Sequence, residues 1–121
     1  MANTIERKIE EKALDIVNVV IGLALVLSPW VLGFSAEQAA AWNAWVVGAL
    51  IALIAAGALF AFAAWEEWAN LVLGIWAVLS PWILGFAAVS AAMWVHMIAG
   101  LIVAVLAGLD LWYVSKRPST A

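Results

Sequence analysis

Cysteine is absent from this 121-residue chain, and charged residues make up only 11% of it. Without a thiol the chain can form no disulfide, no cysteine-ligated zinc or iron–sulfur site and no thiol nucleophile. The formal net charge of -3 argues against nucleic-acid binding, which requires a basic face. The chain is 69% hydrophobic, against about 45 to 50% in an average soluble domain, so its composition predicts a membrane protein.

Basic residues are missing from the whole central part of the chain. The five that exist lie near the two termini, as Arg7, Lys8, Lys12, Lys116 and Arg117. Because cytoplasmic loops and ends of membrane proteins are enriched in Lys and Arg, both termini are expected on the cytoplasmic side. An even number of membrane spans follows from that expectation.

One stretch of sequence occurs twice. The segment SPWVLGF at residues 28–34 recurs as SPWILGF at residues 80–86, with six of seven positions identical and an offset of 52 residues. An offset of that length in so apolar a chain fits two membrane helices with their connections. The sequence therefore predicts an all-α fold of four transmembrane helices, built from two tandem two-helix repeats of one orientation, related by a pseudo-two-fold axis along the membrane normal.

The expected boundaries follow from this repeat. A single membrane domain covers residues 1–121, and residues 1–12 form a short N-terminal amphipathic helix at the membrane interface. Repeat 1 spans 13–64, with helices at about 13–27 and 42–64. Repeat 2 spans 65–115, with helices at about 66–79 and 91–114, after a turn at residues 65–68.

The repeated motif is interpreted as an architectural device on the outer side of the membrane. Serine is a favoured helix N-cap and proline a favoured first helical residue, which predicts that the first helix of each repeat stops at the serine and a short turn restarts after it. The alternative is a continuous helix kinked at the proline. The tryptophan is expected to anchor the turn at the lipid headgroups. The residues concerned are Ser28, Pro29, Trp30, Ser80, Pro81 and Trp82.

Small residues every four positions predict where helices pack closely. They form one ridge on the second helix and one on the fourth, facing the first and third helices or each other. Two asparagines near the starts of the first and third helices are expected to hydrogen-bond a neighbouring helix, and a polar-ligand site between the two halves is the alternative. The packing residues are Gly48, Ala52, Ala56, Gly100, Ala104, Gly108, Asn18 and Asn70.

The acidic residues are expected at the inner edge of the membrane. Asp15 and Glu67 occupy matched positions of the repeat and, together with Glu66, are interpreted as a solvated rim. Asp110 stands where the first repeat has Ala58, and an ion pair with the basic termini is expected there. Proton transfer or partner docking is the alternative for Asp110.

His96 is the only histidine and replaces Ala44 of the first repeat. It is expected to be a hydrogen-bonded residue near the outer interface. The spacing of Ala92 and His96 is similar to that of chlorophyll-ligating helices in bacterial light-harvesting proteins, so pigment or haem ligation by His96 is the alternative. No cofactor is predicted, although a lipid, a quinone or a (bacterio)chlorophyll remains open.

The doubled motif, with Asn and Gly at matched positions before each copy, resembles the SPW-repeat family of small bacterial membrane proteins. The resemblance covers residues 13–115. It implies a four-helix protein of the bacterial inner membrane with the motif on the first helix of each pair, and it implies no established activity or catalytic residues.

Catalytic signals are weak in this sequence. It contains no Ser-His-acid set at a plausible depth, no metal-ligand cluster and no glycine-rich phosphate loop. The function predicted is therefore that of a non-enzymatic structural or accessory subunit, packing against membrane lipids and against itself or a larger membrane complex. The alternatives are a binding protein for a lipid, quinone or pigment in a groove bounded by Trp30, Trp82 and His96, and an oligomeric channel.

Overall fold

A computed structural model of the protein describes residues 4–60 and 64–115, with side chains described in 12–60 and 64–112. These residues form four α-helices: α1 (Thr4–Val31), α2 (Gln38–Phe60), α3 (Ala64–Ile83) and α4 (Ser90–Ser115). Neither range contains a β-strand, which confirms the all-α prediction.

Three helices are long and apolar enough to cross a membrane: Lys12–Val31 in α1, Gln38–Phe60 in α2 and Ser90–Trp112 in α4. Helix α3 has 20 residues, which gives it a length of about 30 Å. Its mean hydropathy is reduced by Glu66, Glu67 and Asn70 and by its tryptophans. It therefore has the length of a membrane span without the uniformly apolar composition of the other three.

The helix limits differ from the expected ones near the chain start and the middle. Helix α1 is continuous from Thr4, so residues 4–12 are its first turns and not a separate helix; residues 1–3 lie outside the described part. The turn expected at residues 65–68 lies instead in the first turn and a half of α3. The second helix was expected to end at residue 64, but Ala64 is the first residue of α3. Residues 61–63, which precede it, are also outside the described part.

The helices form a bundle in which each packs against the next one in the chain and α4 closes against α1. The most extensive contacts are between α1 and α2 and between α3 and α4, the pairs joined by short connections. Helices α1 and α3 lie at opposite corners, with no close backbone contact between their described residues. Side chains from these two helices must therefore reach into the interior to meet.

Glycine allows the closest helix approaches. A Cβ atom added to Gly48 would lie 2.6 Å from the carbonyl oxygen of Gly22, and one added to Gly100 would lie 2.5 Å from that of Gly74. Ala52 and Ala104 pack at the same crossings, against Gly22 and Gly74. The structure places these parts of the two ridges against α1 and α3, whereas Gly108 has open space around it; Ala56 is half-buried.

Both prolines lie inside helices, so the expected stop and restart at the serines is wrong. Helix α1 continues through Pro29 to Val31, and α3 continues through Pro81 to Ile83. Proline lacks the N–H that would bond the carbonyl four residues earlier, which is the Leu25 oxygen for Pro29. The Ser28 hydroxyl donates to that oxygen at 2.7 Å. The serine thus replaces the missing donor and does not act as an N-cap.

The second copy of the motif has the same local structure. The Ser80 hydroxyl donates to the Ala77 oxygen at 3.0 Å, the acceptor that Pro81 leaves without a donor. Each helix then ends at a glycine of positive φ, which is 80° at Gly33 and 82° at Gly85.

The residue after each glycine closes the turn. The N–H of Phe34 bonds the oxygen of Pro29 at 2.9 Å, and the N–H of Phe86 bonds that of Pro81 at 2.8 Å. This six-to-one bond around a left-handed glycine is the Schellman ending of a helix. Phe34 and Phe86 are both buried, at 3% and 4% exposure, so the motif ends a helix and directs one aromatic ring into the bundle.

Candidate functional site

Three carboxylates meet inside the bundle. Asp15 of α1, Glu67 of α3 and Asp110 of α4 each place one oxygen within 4.8 Å of the other two. We call these residues the acidic cluster. Glu67 lies in the first turn of α3 and Asp110 five residues before the end of α4, so the cluster lies at the end of the bundle where α3 begins.

The acidic cluster is shielded from solvent. Asp15 is 2% exposed, and Glu67 and Asp110 are 0% exposed. The expected solvated rim is therefore wrong. Helix α1 begins about three turns before Asp15 and α4 continues beyond Asp110, so both residues lie within helices and not at helix ends. Glu66 is buried too, but its Oε2 faces α2, 3.0 Å from where a Cβ on Gly57 would lie.

The carboxylate oxygens of the cluster have no hydrogen-bond donor in the part of the chain that is described. This holds for Oδ1 of Asp15 and for both oxygens of Glu67 and of Asp110. Asp110 was expected to form an ion pair, yet among described residues its neighbours are two other acids. The basic side chains expected to pair with it, Lys116 and Arg117 among them, lie outside the described part.

Two buried carboxamides lie one helical turn from members of the acidic cluster along α1 and α3. Asn18 lies one helical turn after Asp15 on α1, and Asn70 lies one turn after Glu67 on α3. Both are 0% exposed, and neither side-chain atom of either has a hydrogen-bond partner among the described residues. We call them the carboxamide pair. Within the described part of the chain, the interhelical hydrogen bonds expected of these two side chains are therefore absent.

This arrangement has a clear electrostatic requirement. Burying a charged carboxylate away from water is costly unless an opposite charge or hydrogen-bond donors compensate it. Three carboxylates this close repel one another if all are ionised. The acidic cluster must therefore hold either protons or a cation, and its oxygens are the acceptors or ligands available for them.

His96 lies toward the other end of α4, in an aromatic enclosure. Its ring centroid is 4.8 Å from that of Phe86 and 6.4 Å from that of Phe34, the two phenylalanines of the repeated motif. Nδ1 lies 2.8 Å from the Ala92 carbonyl oxygen, which can only accept, so Nδ1 carries the hydrogen. Nε2 is buried without a partner in the described structure. The residue is fully buried, beside the phenylalanines of both motif turns.

The contact between α2 and α3 contains a polar bridge. Asn43 of α2 donates from Nδ2 to the Ser80 hydroxyl oxygen at 2.9 Å, and its Oδ1 accepts from Trp76 Nε1 at 2.9 Å. The indole of Trp76 thus lies in this contact with its N–H satisfied. The positions 52 residues away from Asn43 and Trp76 are Val95 and Ala24, which cannot form the same bridge.

An apolar groove of about 400 Å³ is found where Ala24 and Val95 lie, between α1 and α4. Its wall includes Ile21, Ala24 and Leu25 from α1 and Trp94, Val95 and Ile98 from α4. The groove lies between the two halves of the chain, as expected for an apolar ligand site. The expected boundary residues Trp30, Trp82 and His96 do not line it.

The acidic cluster was missed from the sequence. Asp15 and Glu67 differ by the 52-residue offset of the motif, and matched positions of a two-fold repeat can meet at its axis. That relationship is the signal that could have brought them together. Asp110 has no acidic counterpart, and only the packing of α4 places it beside the other two.

A family model described as the SPW repeat domain matches residues 12–110. No curated protein and no solved structure matches the chain.

Proposed function

The chain belongs to the SPW repeat family, whose members are small membrane proteins, and we propose from this premise that it is a non-enzymatic accessory subunit of the bacterial inner membrane. The observation that carries the proposal is its inverted surface. Large aliphatic and tryptophan side chains are exposed on all four helices. The acidic cluster, the carboxamide pair and His96 are buried. A protein with such a surface is surrounded by lipid or by other membrane helices, since exposing so large an apolar surface to water is unfavourable.

All four helices cross the bilayer in this proposal, including α3. Exposed tryptophans lie near both ends of the bundle: Trp68 and Trp82 on α3 are separated by about 21 Å, and Trp94 and Trp112 on α4 by about 27 Å. These separations are about two thirds and nine tenths of the thickness of the hydrocarbon core, which is about 30 Å, and tryptophan favours its two interfaces. The two belts of indoles support four spans despite the polar residues at the start of α3.

The orientation follows from the basic residues. They are confined to the two termini, which favours a cytoplasmic location for both ends. The motif turns at residues 32–37 and 84–89 then face outward, and the acidic cluster lies near the cytoplasmic end. The matched backbone bonds of the two turns support two repeats of one orientation, related by an axis along the membrane normal.

The groove between α1 and α4 is the place we propose for a partner helix. The opposite contact, between α2 and α3, is filled by the chain's own Trp76, whereas Ala24 at the matched position leaves space. An apolar side chain of a second copy or of another membrane protein fits a wall of this composition, because dispersion contacts drive helix association in lipid.

The test is to fill the groove from within. Ala24→Trp places an indole where Trp76 lies in the opposite contact. Native mass spectrometry from mild detergent should show wild type in a complex with itself or another membrane protein, and the variant as a monomer. Leu53→Trp is the matched control, because Leu53 is 69% exposed on α2, and it should retain the complex. A wild type that is monomeric in native membranes, as judged by cross-linking, would contradict an accessory role.

Binding of a lipid is the second candidate function, and the same groove favours it. A groove with an almost entirely apolar wall, open to the bilayer, accepts an acyl chain or the tail of a quinone. Mass spectrometry of organic extracts from purified wild type should then show one retained lipid per chain, which Ala24→Trp displaces. Extracts that match the bulk lipid composition in both proteins would exclude this function.

A further inference from the structure

We propose that the acidic cluster binds one hard divalent cation, of the Ca²⁺ or Mn²⁺ kind, through the carboxylates of Asp15, Glu67 and Asp110. This goes beyond the accessory role, which requires no ion. Three separate helices supply the carboxylates, and their oxygens lie within 4.8 Å of one another. Three residues that are far apart in the sequence therefore meet at one point of the interior.

The spacing of these oxygens fits one ion. Ca²⁺ holds its oxygen ligands at about 2.3 to 2.6 Å, so two ligands on opposite sides of the ion lie about 4.6 to 5.2 Å apart. The three oxygens lie within 4.8 Å of one another, so none of the pairs is further apart than opposite ligands of one Ca²⁺ can be. One Ca²⁺-sized ion can therefore be reached by all three carboxylates from the helices on which they lie.

The carboxamide pair is an independent observation pointing to the same ligand. Side chains of an α-helix lean toward its N-terminus. Asn18 therefore leans back toward the turn of Asp15, and Asn70 toward the turn of Glu67. Both are fully buried with no hydrogen-bond partner in the described structure, and buried polar groups normally have one. A cation with its bound water gives the two amide oxygens the partners that they lack.

Charge also favours a divalent cation. Lys12 is the only basic residue whose side chain is described, and it is exposed, so it does not compensate the buried acids. A divalent ion neutralises two of the three carboxylates, and one proton suffices for the third. Among the side chains that the structure describes, none supplies a positive charge to the cluster, so protons are the only other means of neutralising it there.

The donor set selects the class of metal. Carboxylate and amide oxygens are hard ligands that suit Ca²⁺, Mg²⁺ and Mn²⁺, whereas thiolate and imidazole suit zinc and copper. The chain has no cysteine, and its single histidine lies 14 residues from Asp110 on α4, about 21 Å along the helix. A soft transition metal therefore has no second kind of donor in this site.

Direct binding of Mn²⁺ is the first measurement. Full-length protein in phosphatidylcholine nanodiscs, freed of metal by a chelator that is then removed, is titrated with Mn²⁺ and followed by electron paramagnetic resonance. Wild type should remove one equivalent of the free-ion signal per chain, and Ca²⁺ should restore it by competition. A free-ion signal unchanged by wild-type protein at any ratio would overturn the proposal, whatever the variants do.

Variants then locate the ion. Asp110→Asn should weaken Mn²⁺ binding by about 100-fold or more, since it replaces a charged carboxylate ligand by a neutral amide. Asn18→Ala and Asn70→Ala should each weaken it about 10-fold, as losses around a metal commonly do. Glu37→Gln is the matched control, because it removes one exposed carboxylate from the turn before α2; it should bind as wild type does. Equal binding by all five proteins would place the ion elsewhere and overturn the proposal.

Thermal stability separates a metal ion from protons. Wild type and Glu37→Gln should gain stability on addition of Ca²⁺ or Mn²⁺ at neutral pH, and Asp110→Asn should not. With chelator present, Asp110→Asn should be at least as stable as wild type, because one uncompensated buried charge is gone. If acidification alone stabilises wild type and neither ion does, protons occupy the cluster and the metal site is refuted.

Discussion

The hydroxyl of Ser28 donates a 2.7 Å hydrogen bond to the carbonyl oxygen of Leu25, the acceptor that Pro29 leaves without its regular donor. Ser80 does the same for Ala77. In each Ser-Pro pair, the serine hydroxyl thus supplies the hydrogen bond that the proline cannot donate. This explains how a proline is accommodated inside a helix at membrane depth, where an unsatisfied carbonyl is costly.

This relationship makes a double-mutant prediction. Ser28→Ala should lower the free energy of unfolding by about 1 to 3 kcal/mol, because it leaves a buried carbonyl unsatisfied. In a Pro29→Ala background the loss should be much smaller, since that substitution brings back the N–H that bonds the Leu25 oxygen. Reversible unfolding in detergent micelles measures both. The same loss in the two backgrounds would show that Ser28 acts through something other than the proline.

The helix-ending glycines allow a second prediction. Gly33→Ala should destabilise by about 1 to 2 kcal/mol, because an L-residue is strained in the left-handed region that Gly33 occupies at φ 80°. Space is not the cause, since nothing lies within 4 Å of the added Cβ. Gly108→Ala also has open space but lies inside α4, and it should be neutral or stabilising by up to about 1 kcal/mol. Equal effects of the two substitutions would contradict the backbone explanation.

Close helix contact allows a third prediction. Gly48→Ala places a Cβ 2.6 Å from the Gly22 oxygen and 2.9 Å from the Val26 nitrogen, both backbone atoms that cannot move alone. The two helices must separate, and overpacking of this kind typically costs about 1 to 3 kcal/mol. Thermal unfolding should show the loss, with Gly108→Ala again as control. A stability equal to wild type would mean that α1 and α2 are not in contact at Gly48.

The polar bridge between α2 and α3 allows a fourth prediction. Asn43→Ala should cost about 1 to 3 kcal/mol, because Trp76 Nε1 and Ser80 lose their partner. With Trp76→Phe already present, the indole donor is absent and the additional cost should fall. The interaction energy from this double-mutant cycle, measured by chemical unfolding, should be clearly above zero. An interaction energy of zero would show that the bridge does not stabilise the contact.

The helical architecture could be predicted from composition and the repeat, because long apolar stretches separated by turn residues allow few other structures. The continuation of α1 and α3 through their prolines could not be predicted in this way. The rule that proline ends a helix does not consider that a neighbouring side chain can supply the missing hydrogen-bond donor. Ser28 in the motif was interpreted as a cap, while its hydroxyl in fact points back along the helix.

The burial of the acidic cluster was missed for a different reason. Position along a helix gives depth, but burial also depends on which face meets the other helices. Asp15 lies near the start of its apolar stretch, which favoured a solvated rim, and Asp110 lies near the end of its own, which favoured an ion pair at the interface. Packing turns both side chains inward instead. The groove between α1 and α4 could not be predicted from the sequence either. Trp76 fills the α2–α3 contact, and Ala24, at the matched position, leaves space in the α1–α4 contact.

The central claim is that the chain has four spans with both halves in one orientation. Because the chain has no cysteine, single cysteines can be introduced to test it. Single cysteines introduced at Ser35, Ala88 and Ser119 report the two motif turns and the C-terminus. A membrane-impermeant maleimide applied to intact cells should label Ser35→Cys and Ala88→Cys, and Ser119→Cys only after permeabilisation. Labelling of Ser35→Cys without Ala88→Cys, together with outside labelling of Ser119→Cys, would mean that α3 does not cross the membrane and would contradict the account.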